Sequence, residues 1–161
     1  MNQDHNLQQL AFYRLEYSID QVRYWLGNSD LENFCFEPYF PATEDPNRPL
    51  YLCCFAQNNE GVYIAPYEPD LLAPYPGGVV VLTGPLKLTG SVVPADAMRN
   101  LINENEDDNW LLFTPVVDEY RQVYYTIQTL KRTATGDVLG GGTINSNPSP
   151  PATSMIAKEL N

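Results

Sequence analysis

The sequence predicts an α+β protein: an antiparallel sheet with an N-terminal helix and a second helix between strands three and four. Two observations support this prediction. Apolar residues recur at helical spacing near the N-terminus, and later segments are rich in the β-branched and aromatic residues typical of strands. The 161 residues fit one domain of ordinary size, and a hydrophobic content of 43% suits a globular chain.

The first element expected is an amphipathic helix over residues 7 to 26. Its apolar residues recur every three or four positions, on one helical stripe: Leu7, Ala11, Leu15, Ile19, Val22 and Leu26. Gly27 is well placed to end this helix. Ser29 and Glu32 match a capping box for a short second helical turn, and the proline-rich residues 37 to 49 predict an irregular loop.

Three strands are expected next. Residues 50 to 57 and 62 to 67 flank a turn signal, so they predict a hairpin. After a second proline-rich loop, residues 79 to 88 predict a strand bent at Gly84 and Pro85. Neither alternate set in residues 50 to 57 is polar. Both faces of this strand are therefore expected to be covered, by helices on one side and by loops, the tail or another subunit on the other.

The second half of the domain predicts a helix and a hairpin. Pro94 suits the first position of a helix. The buried side of that helix is expected to hold Ala95, Met98, Leu101 and Ile102. Residues 110 to 117 and 123 to 130 predict the hairpin, with Val123, Tyr125 and Ile127 on one face. The single α+β domain is thus assigned to residues 1 to 132, and the Gly-, Pro- and Ser-rich residues 133 to 161 predict a flexible tail.

The net charge of the chain limits the classes of partner that are expected. Nine Lys and Arg face twenty Asp and Glu, which gives a formal net charge of −11. Such a chain repels nucleic acid phosphates and anionic membranes, so neither is expected as a partner. A basic protein or peptide is favoured, although solubility alone explains the charge equally well. No signal peptide or membrane span is visible.

Histidine and cysteine chemistry is not expected. The single histidine, His5, lies in a polar leader, and Cys35, Cys53 and Cys54 lack the spacing of a structural zinc site. An odd cysteine count argues against a disulfide framework, so a reducing cytoplasm is the expected compartment. At least one of Cys53 and Cys54 is predicted to be a core thiol. No nucleotide-binding glycine pattern is present, and neither a cofactor nor a metal is predicted.

An acidic patch is the one cluster of potential catalytic groups: Glu104, Glu106, Asp107 and Asp108. A hydrolase with two carboxylates or a calcium site is physically possible there. The patch lacks the ligand alternation of a calcium loop, so a solvated connection is favoured. Arg121 and Arg132, with Lys131, could anchor an acidic ligand, although pairing with their own neighbours is the commoner outcome for such residues.

The predicted order of helix, three strands, helix and two strands in an acidic chain resembles type III secretion chaperones and YbjN-like domains. That family often carries two aliphatic residues followed three positions later by Asn at the end of the second helix. The run Leu101-Ile102-Asn103-Glu104-Asn105 is similar. The resemblance covers residues 7 to 130 as topology. It implies a usually dimeric α+β protein that binds extended partner segments and has no catalytic site.

The predicted function is therefore a non-catalytic protein-binding module, of chaperone or adaptor type, that holds a partner protein or peptide against apolar sheet surface. Its predicted contact residues are Tyr51, Phe55, Tyr63 and Tyr125. The alternative is an acidic inhibitor whose patch mimics nucleic acid phosphates, and a carboxylate-based hydrolase is third. Binding to such an inhibitor would be sensitive to salt, whereas apolar binding would not. A homodimer is left open.

Overall fold

The computed structural model describes residues 7–39, 49–64 and 70–147, and most of these residues lie in antiparallel strands. The elements are β1 (Leu7–Ser18), α1 (Ile19–Leu26), β2 (Leu31–Tyr39), β3 (Tyr51–Asn58), β4 (Asp70–Leu71), β5 (Ala73–Leu86), β6 (Ser91–Pro94), α2 (Ala95–Asn103), β7 (Trp110–Val117), β8 (Val123–Thr133) and β9 (Gly136–Asn145). The predicted α+β class is wrong, because the two helices are short and the fold is closer to all-β. No helix in the described ranges is long and apolar enough to cross a membrane.

The strands form two sheets. A five-stranded sheet has the order β5-β1-β7-β8-β9, and a four-stranded sheet has the order β4-β3-β2-β6. Within the described residues, backbone contacts join the sheets at two places. Leu50, just before β3, lies beside Phe12 of β1, and Val92 of β6 exchanges hydrogen bonds of 3.0 and 2.9 Å with Asn147, just after β9. The two junctions link the sheets around a shared interior.

The core lies between the inner faces of the sheets. Phe36 of β2 and Phe113 of β7 meet there, with ring centroids 4.9 Å apart. Both rings are fully buried, and burial of each stabilises the fold by roughly 1.5–3 kcal/mol. Helix α2 packs against β2, β6, β8 and β9. Its buried residues are those predicted: Ala95, Met98, Leu101 and Ile102.

The predicted N-terminal helix is wrong over most of its length, because residues 7 to 18 form β1 and the helix begins only at Ile19. The register of β1 with β5 shifts between Tyr13 and Leu15, where residues 75 to 78 of β5 lie opposite the single residue 14 of β1. The side of β1 that enters the core changes at the same place, since Phe12 and Leu15, three positions apart, are 1% and 0% exposed. This spacing of buried residues looks helical, although the backbone is extended.

Three further boundaries differ from the prediction. β2 replaces the predicted helical turn at residues 29 to 32, and β5 begins inside the second predicted loop. β9 occupies the start of the predicted flexible tail and pairs with β8, so residues 136 to 145 belong to the sheet. Residues 148 to 161 of that tail lie outside the described residues. The order of elements that suggested the chaperone resemblance is therefore not the order observed.

The strand predicted over residues 62 to 67 is present only as an isolated bridge between Gln57 and Tyr63, and residues 65 to 67 lie outside the described residues. The second helix, the end of the first helix and the second hairpin are confirmed. α2 begins directly after Pro94, and α1 ends at Gly27, whose N–H donates to the Arg23 carbonyl at 3.0 Å. β7 and β8 form the predicted hairpin. Asp118 stabilises its turn, because its Oδ1 accepts the N–H groups of Tyr120 and Gln122 at 2.9 and 2.8 Å.

Candidate functional site

An apolar surface crosses the junction of the two sheets on their outer side. Tyr13 of β1 lies directly opposite Val79 of β5, so the two side chains project from the same face. The Tyr13 ring also contacts Tyr51 of β3, with centroids 5.0 Å apart, and Tyr51 lies 6.4 Å from Tyr39 of β2. We name Val79, Val81, Tyr13, Tyr51 and Tyr39 the seam surface.

The seam surface is most exposed where it reaches β5. Val79 and Val81 are each 52% exposed, and Tyr39 is 41% exposed at the other end. Tyr13 and Tyr51 between them are half-buried. Adjoining exposed apolar side chains of this kind are typical of interaction sites, whereas single exposed ones are common on any surface.

Hydrogen bonds of β1 show which way the backbone of β5 points. The Ala11 carbonyl accepts the Leu50 N–H at 3.0 Å, and the Tyr13 N–H donates to the Leu50 carbonyl at 3.2 Å. The backbone groups of Ala11 and Tyr13 therefore point away from β5. Because polar groups alternate along a strand, Phe12 directs its own groups toward β5, where it lies opposite Val80.

The alternate residues of β5, Val79 and Val81, consequently direct their N–H and C=O groups to the open side of the strand. Among the described strands β5 pairs with β1 alone, so it is an edge strand. Arg121 supports this direction independently, because its guanidinium donates to the carbonyls of Thr83 and, at 2.8 Å, Pro85 on the same side. Arg121 closes the edge at that end and leaves it open at the two valines.

The open edge lacks the usual protection. Sheet edges are commonly guarded by charged side chains or by proline. Residues 71 to 86 contain no charged residue, although charged residues make up 18% of the chain. Pro74, Pro76 and Pro85 guard the two ends of β5 but not its middle. The uncharged run was visible in the sequence, but the sequence does not show that this strand forms a sheet edge.

A single carboxyl group lies beside the aromatic part of the seam surface. Glu37 is two residues from Tyr39 on β2, so both point to the outer face. Cys53 of β3 lies directly opposite Glu37, which makes Tyr51 and Phe55 its diagonal neighbours. Glu37 therefore has three aromatic neighbours in the sheet, one along its own strand and two diagonally across on β3.

The Glu37 carboxyl group has no partner among the described residues. Its Oε1 is buried without a hydrogen bond, and it takes part in none of the ion pairs found there. Burial raises the pKa of Glu37 to about 7. Gly90 packs so closely that an added Cβ would collide with the carboxyl group. Burial, with a smaller effect of Glu37, raises the pKa of Cys35 to about 12 and of Cys53 to about 11.

The four predicted contact residues separate into two groups. Tyr51 belongs to the seam surface, and Phe55 stacks on Tyr63 with centroids 4.9 Å apart on the outer side of β3. Tyr125 is only 3% exposed and meets Phe113 in the core, so it is not part of the outer surface. Tyr125 shares the inward face of β8 with Val123 and Ile127, and the sequence predicted that these three residues lie on one face.

The inner side of the strand over residues 50 to 57 is covered by the core shared between the two sheets, not by helices alone as predicted, and on the outer side Tyr51 and Phe55 are only half-buried. Leu52, Cys54 and Ala56 face the core, while Cys53 and Gln57 are buried on the outer side. All three cysteines are free and buried, which confirms the predicted core thiol. No second subunit is needed to explain the burial of Cys53 and Gln57, because both are buried in the single chain.

The acidic patch follows α2 in a turn. Glu104, Glu106 and Asp107 are exposed, and Asp108 is half-buried next to Gly140. Within the described residues no group of three or more His, Cys, Asp or Glu is arranged to hold a metal ion.

No protein-family model matches this chain, and comparisons with curated proteins and with solved structures give no match. The open edge and the seam surface therefore carry the functional proposal.

Proposed function

We propose that this chain is a non-catalytic protein-binding module that accepts an extended segment of a partner protein at the open edge of β5. The supporting observation is the coincidence of exposed apolar side chains and outward-pointing backbone groups at Val79 and Val81. A partner strand would hydrogen-bond to both residues and cover their side chains, which is the strand-addition mode of recognition.

The estimated binding free energy indicates that contacts at the β5 edge alone are too weak for a stable complex. Two backbone pairs contribute about 2–6 kcal/mol, from four hydrogen bonds at ~0.5–1.5 kcal/mol each. Covering two half-exposed valines adds about 2 kcal/mol. Association costs at least ~4 kcal/mol in lost freedom, so further contact is required. The tyrosines of the seam surface supply it, because Tyr13 lies directly beside Val79.

The expected partner is a protein or peptide with positive charge. A net charge of −11 attracts a cationic segment and orients it before contact. Three free, buried thiols suit a reducing compartment, and we propose the cytoplasm. No cofactor is part of this proposal.

The test is partner capture from native lysate with a variant carrying Val79→Lys and Val81→Lys. Two lysines would repel a cationic strand and would leave the bonds to β1 intact. Val62→Lys is the matched control, because Val62 is also 52% exposed but lies in the turn after β3. We expect the double variant to lose at least ten-fold in affinity for the captured partner, with the control unchanged. Equal binding by all three proteins would overturn the proposal.

Salt separates this proposal from the acidic-inhibitor alternative. Strand addition with apolar contact survives a high-salt wash, whereas a complex held by the acidic patch of Glu104, Glu106, Asp107 and Asp108 does not. A captured partner that is a nucleic-acid enzyme, lost at high salt and insensitive to the valine changes, would support the alternative.

A further inference from the structure

We propose that Glu37 is a receptor for an organic cation, held between the carboxyl group and the aromatic side chains around it. As the source of the cation we propose a lysine side chain of the bound partner. That choice rests on the proposed function, whereas the cation site itself rests on the geometry at Glu37.

The first support is an unmet electrostatic requirement. A carboxylate taken out of water is unfavourable unless a cation or hydrogen-bond donors compensate its charge. Oε1 of Glu37 has no such donor, and no described Lys or Arg lies within ion-pair distance. Glu37 keeps part of its surface open, whereas Oε1 itself is buried, so a ligand would have to approach from the open part of the residue. A bound ammonium group would supply the missing partner.

The second support is the composition of the surroundings. Tyr39 lies two residues along β2 from Glu37, and Tyr51 and Phe55 are diagonal neighbours on β3, on either side of the directly opposite Cys53. Aromatic ring faces attract cations by ~0.5–2 kcal/mol each, and they do not compete for the carboxylate. The adjoining thiols of Cys35 and Cys53 are neutral at physiological pH, because burial raises their pKa to about 12 and about 11. Among the described residues packed around the site, Glu37 is the group that can carry charge near neutrality.

The third support is the wall formed by Gly90. Any side chain at this position would occupy the space of the carboxyl group. Gly90 is itself buried, so the backbone closes one side of the site. The site is also continuous with the seam surface through Tyr39 and Tyr51. A strand bound at β5 whose chain continues across the seam surface would bring a lysine side chain to Glu37.

The experiment uses small probes, so that it does not depend on binding at β5. Acetyl-lysine methylamide is titrated into the full chain and followed by nuclear magnetic resonance at pH 8 and pH 5.5. The acetyl-arginine analogue and tetramethylammonium distinguish the kinds of cation, and acetyl-norleucine methylamide is the neutral control. We expect the lysine probe to bind at pH 8 at least ten-fold more tightly than at pH 5.5, because protonation removes the charge of Glu37.

Variants locate the site. Glu37→Gln should abolish the binding, and Glu60→Gln, in the exposed turn after β3, should leave it unchanged. The pKa of Glu37 should also fall when the lysine probe is present. Undiminished binding by Glu37→Gln, or equal binding of the norleucine probe, would overturn the cation site. The variant with Val79→Lys and Val81→Lys should still bind the lysine probe, so failure at the β5 edge and failure at Glu37 are distinguishable.

Discussion

Arg132 of β8 forms a bidentate ion pair with Glu16 of β1, although β7 lies between the two strands in the sheet. The guanidinium donates to the two carboxylate oxygens at 3.0 and 2.9 Å. It also donates to Asp137 of β9 at 3.2 Å, and it lies 5.0 Å from the centroid of the Trp110 ring of β7. One side chain thus connects four strands, which explains why it does not serve as the free anion anchor considered from the sequence.

Arg132→Ala should destabilise the protein. Glu16 is only 8% exposed, so the variant leaves a nearly buried carboxylate without its partner. We expect a loss of about 2–3 kcal/mol in the free energy of unfolding, measured by urea denaturation. Arg99→Ala is the control, because Arg99 pairs with an exposed Asp96 and its loss should cost less than ~0.5 kcal/mol. Equal effects of the two changes would contradict this role for Arg132.

Asp70→Ala should release the short strand β4. Oδ2 of Asp70 accepts hydrogen bonds from Tyr17 at 2.5 Å, Gln21 at 3.0 Å and Trp25 at 3.2 Å. The buried Tyr17 hydroxyl would lose this acceptor, so we expect a loss of about 2–3 kcal/mol in unfolding free energy. Tryptophan fluorescence during urea titration measures the loss. Asp70→Asn, which keeps one acceptor oxygen, should lose less, and an equal or larger loss would contradict the proposed role of that oxygen.

Local patterns predicted the helix α2 and the hairpin of β7 and β8, because each is a regular element bounded by clear signals. Pro94 precedes α2, and Asp118 forms the hairpin turn. β1 could not be predicted in this way, since its buried residues Phe12 and Leu15 are three positions apart, which is a helical spacing. The pairing of β9 with β8 depends on a tertiary contact that overrides a glycine-rich composition.

The candidate site was predictable only in part. Tyr51 and Phe55 were identified from the composition of one strand, and they do lie on the outer face. Their neighbour Tyr13 comes from a segment predicted to be helical. Val79 became a candidate contact residue only because β5 lies at the edge of a sheet. Strand order depends on contacts between distant segments, and no local pattern in this chain encodes it.

All three thiols should be protected in the native protein. Burial raises the pKa of Cys35 to about 12 and of Cys53 to about 11, and it raises the pKa of Cys54 as well. Because the thiolate is the reactive form, labelling with a thiol reagent at pH 8 should be at least ~100-fold slower than in urea. Complete unfolding should release three reactive thiols per chain. Rapid labelling of one thiol in the native protein would contradict the observed burial.

Glu37 should make the protein less stable as pH rises toward neutrality. The folded-state pKa of about 7 exceeds the ordinary value of 4.5, so the folded state holds a proton that the unfolded state has released between these values. More protons bound to the folded state means that stability falls with rising pH across this window and is constant above it. Glu37→Gln removes this fall and should raise the unfolding free energy at pH 8 by on the order of 2 kcal/mol.

The measurement is urea denaturation of wild type, Glu37→Gln and Glu60→Gln from pH 4.5 to 8. The difference between wild type and Glu37→Gln should be small at pH 4.5 and grow until about pH 7, whereas Glu60→Gln should follow wild type throughout. Taking the difference between two proteins isolates Glu37 from the many other carboxyl groups, which titrate alike in both. If the two curves stayed parallel over the whole range, the carboxyl group would be solvated in the folded state. The proposal that Glu37 binds a cation would then lose its support, which is a buried carboxyl group without a partner.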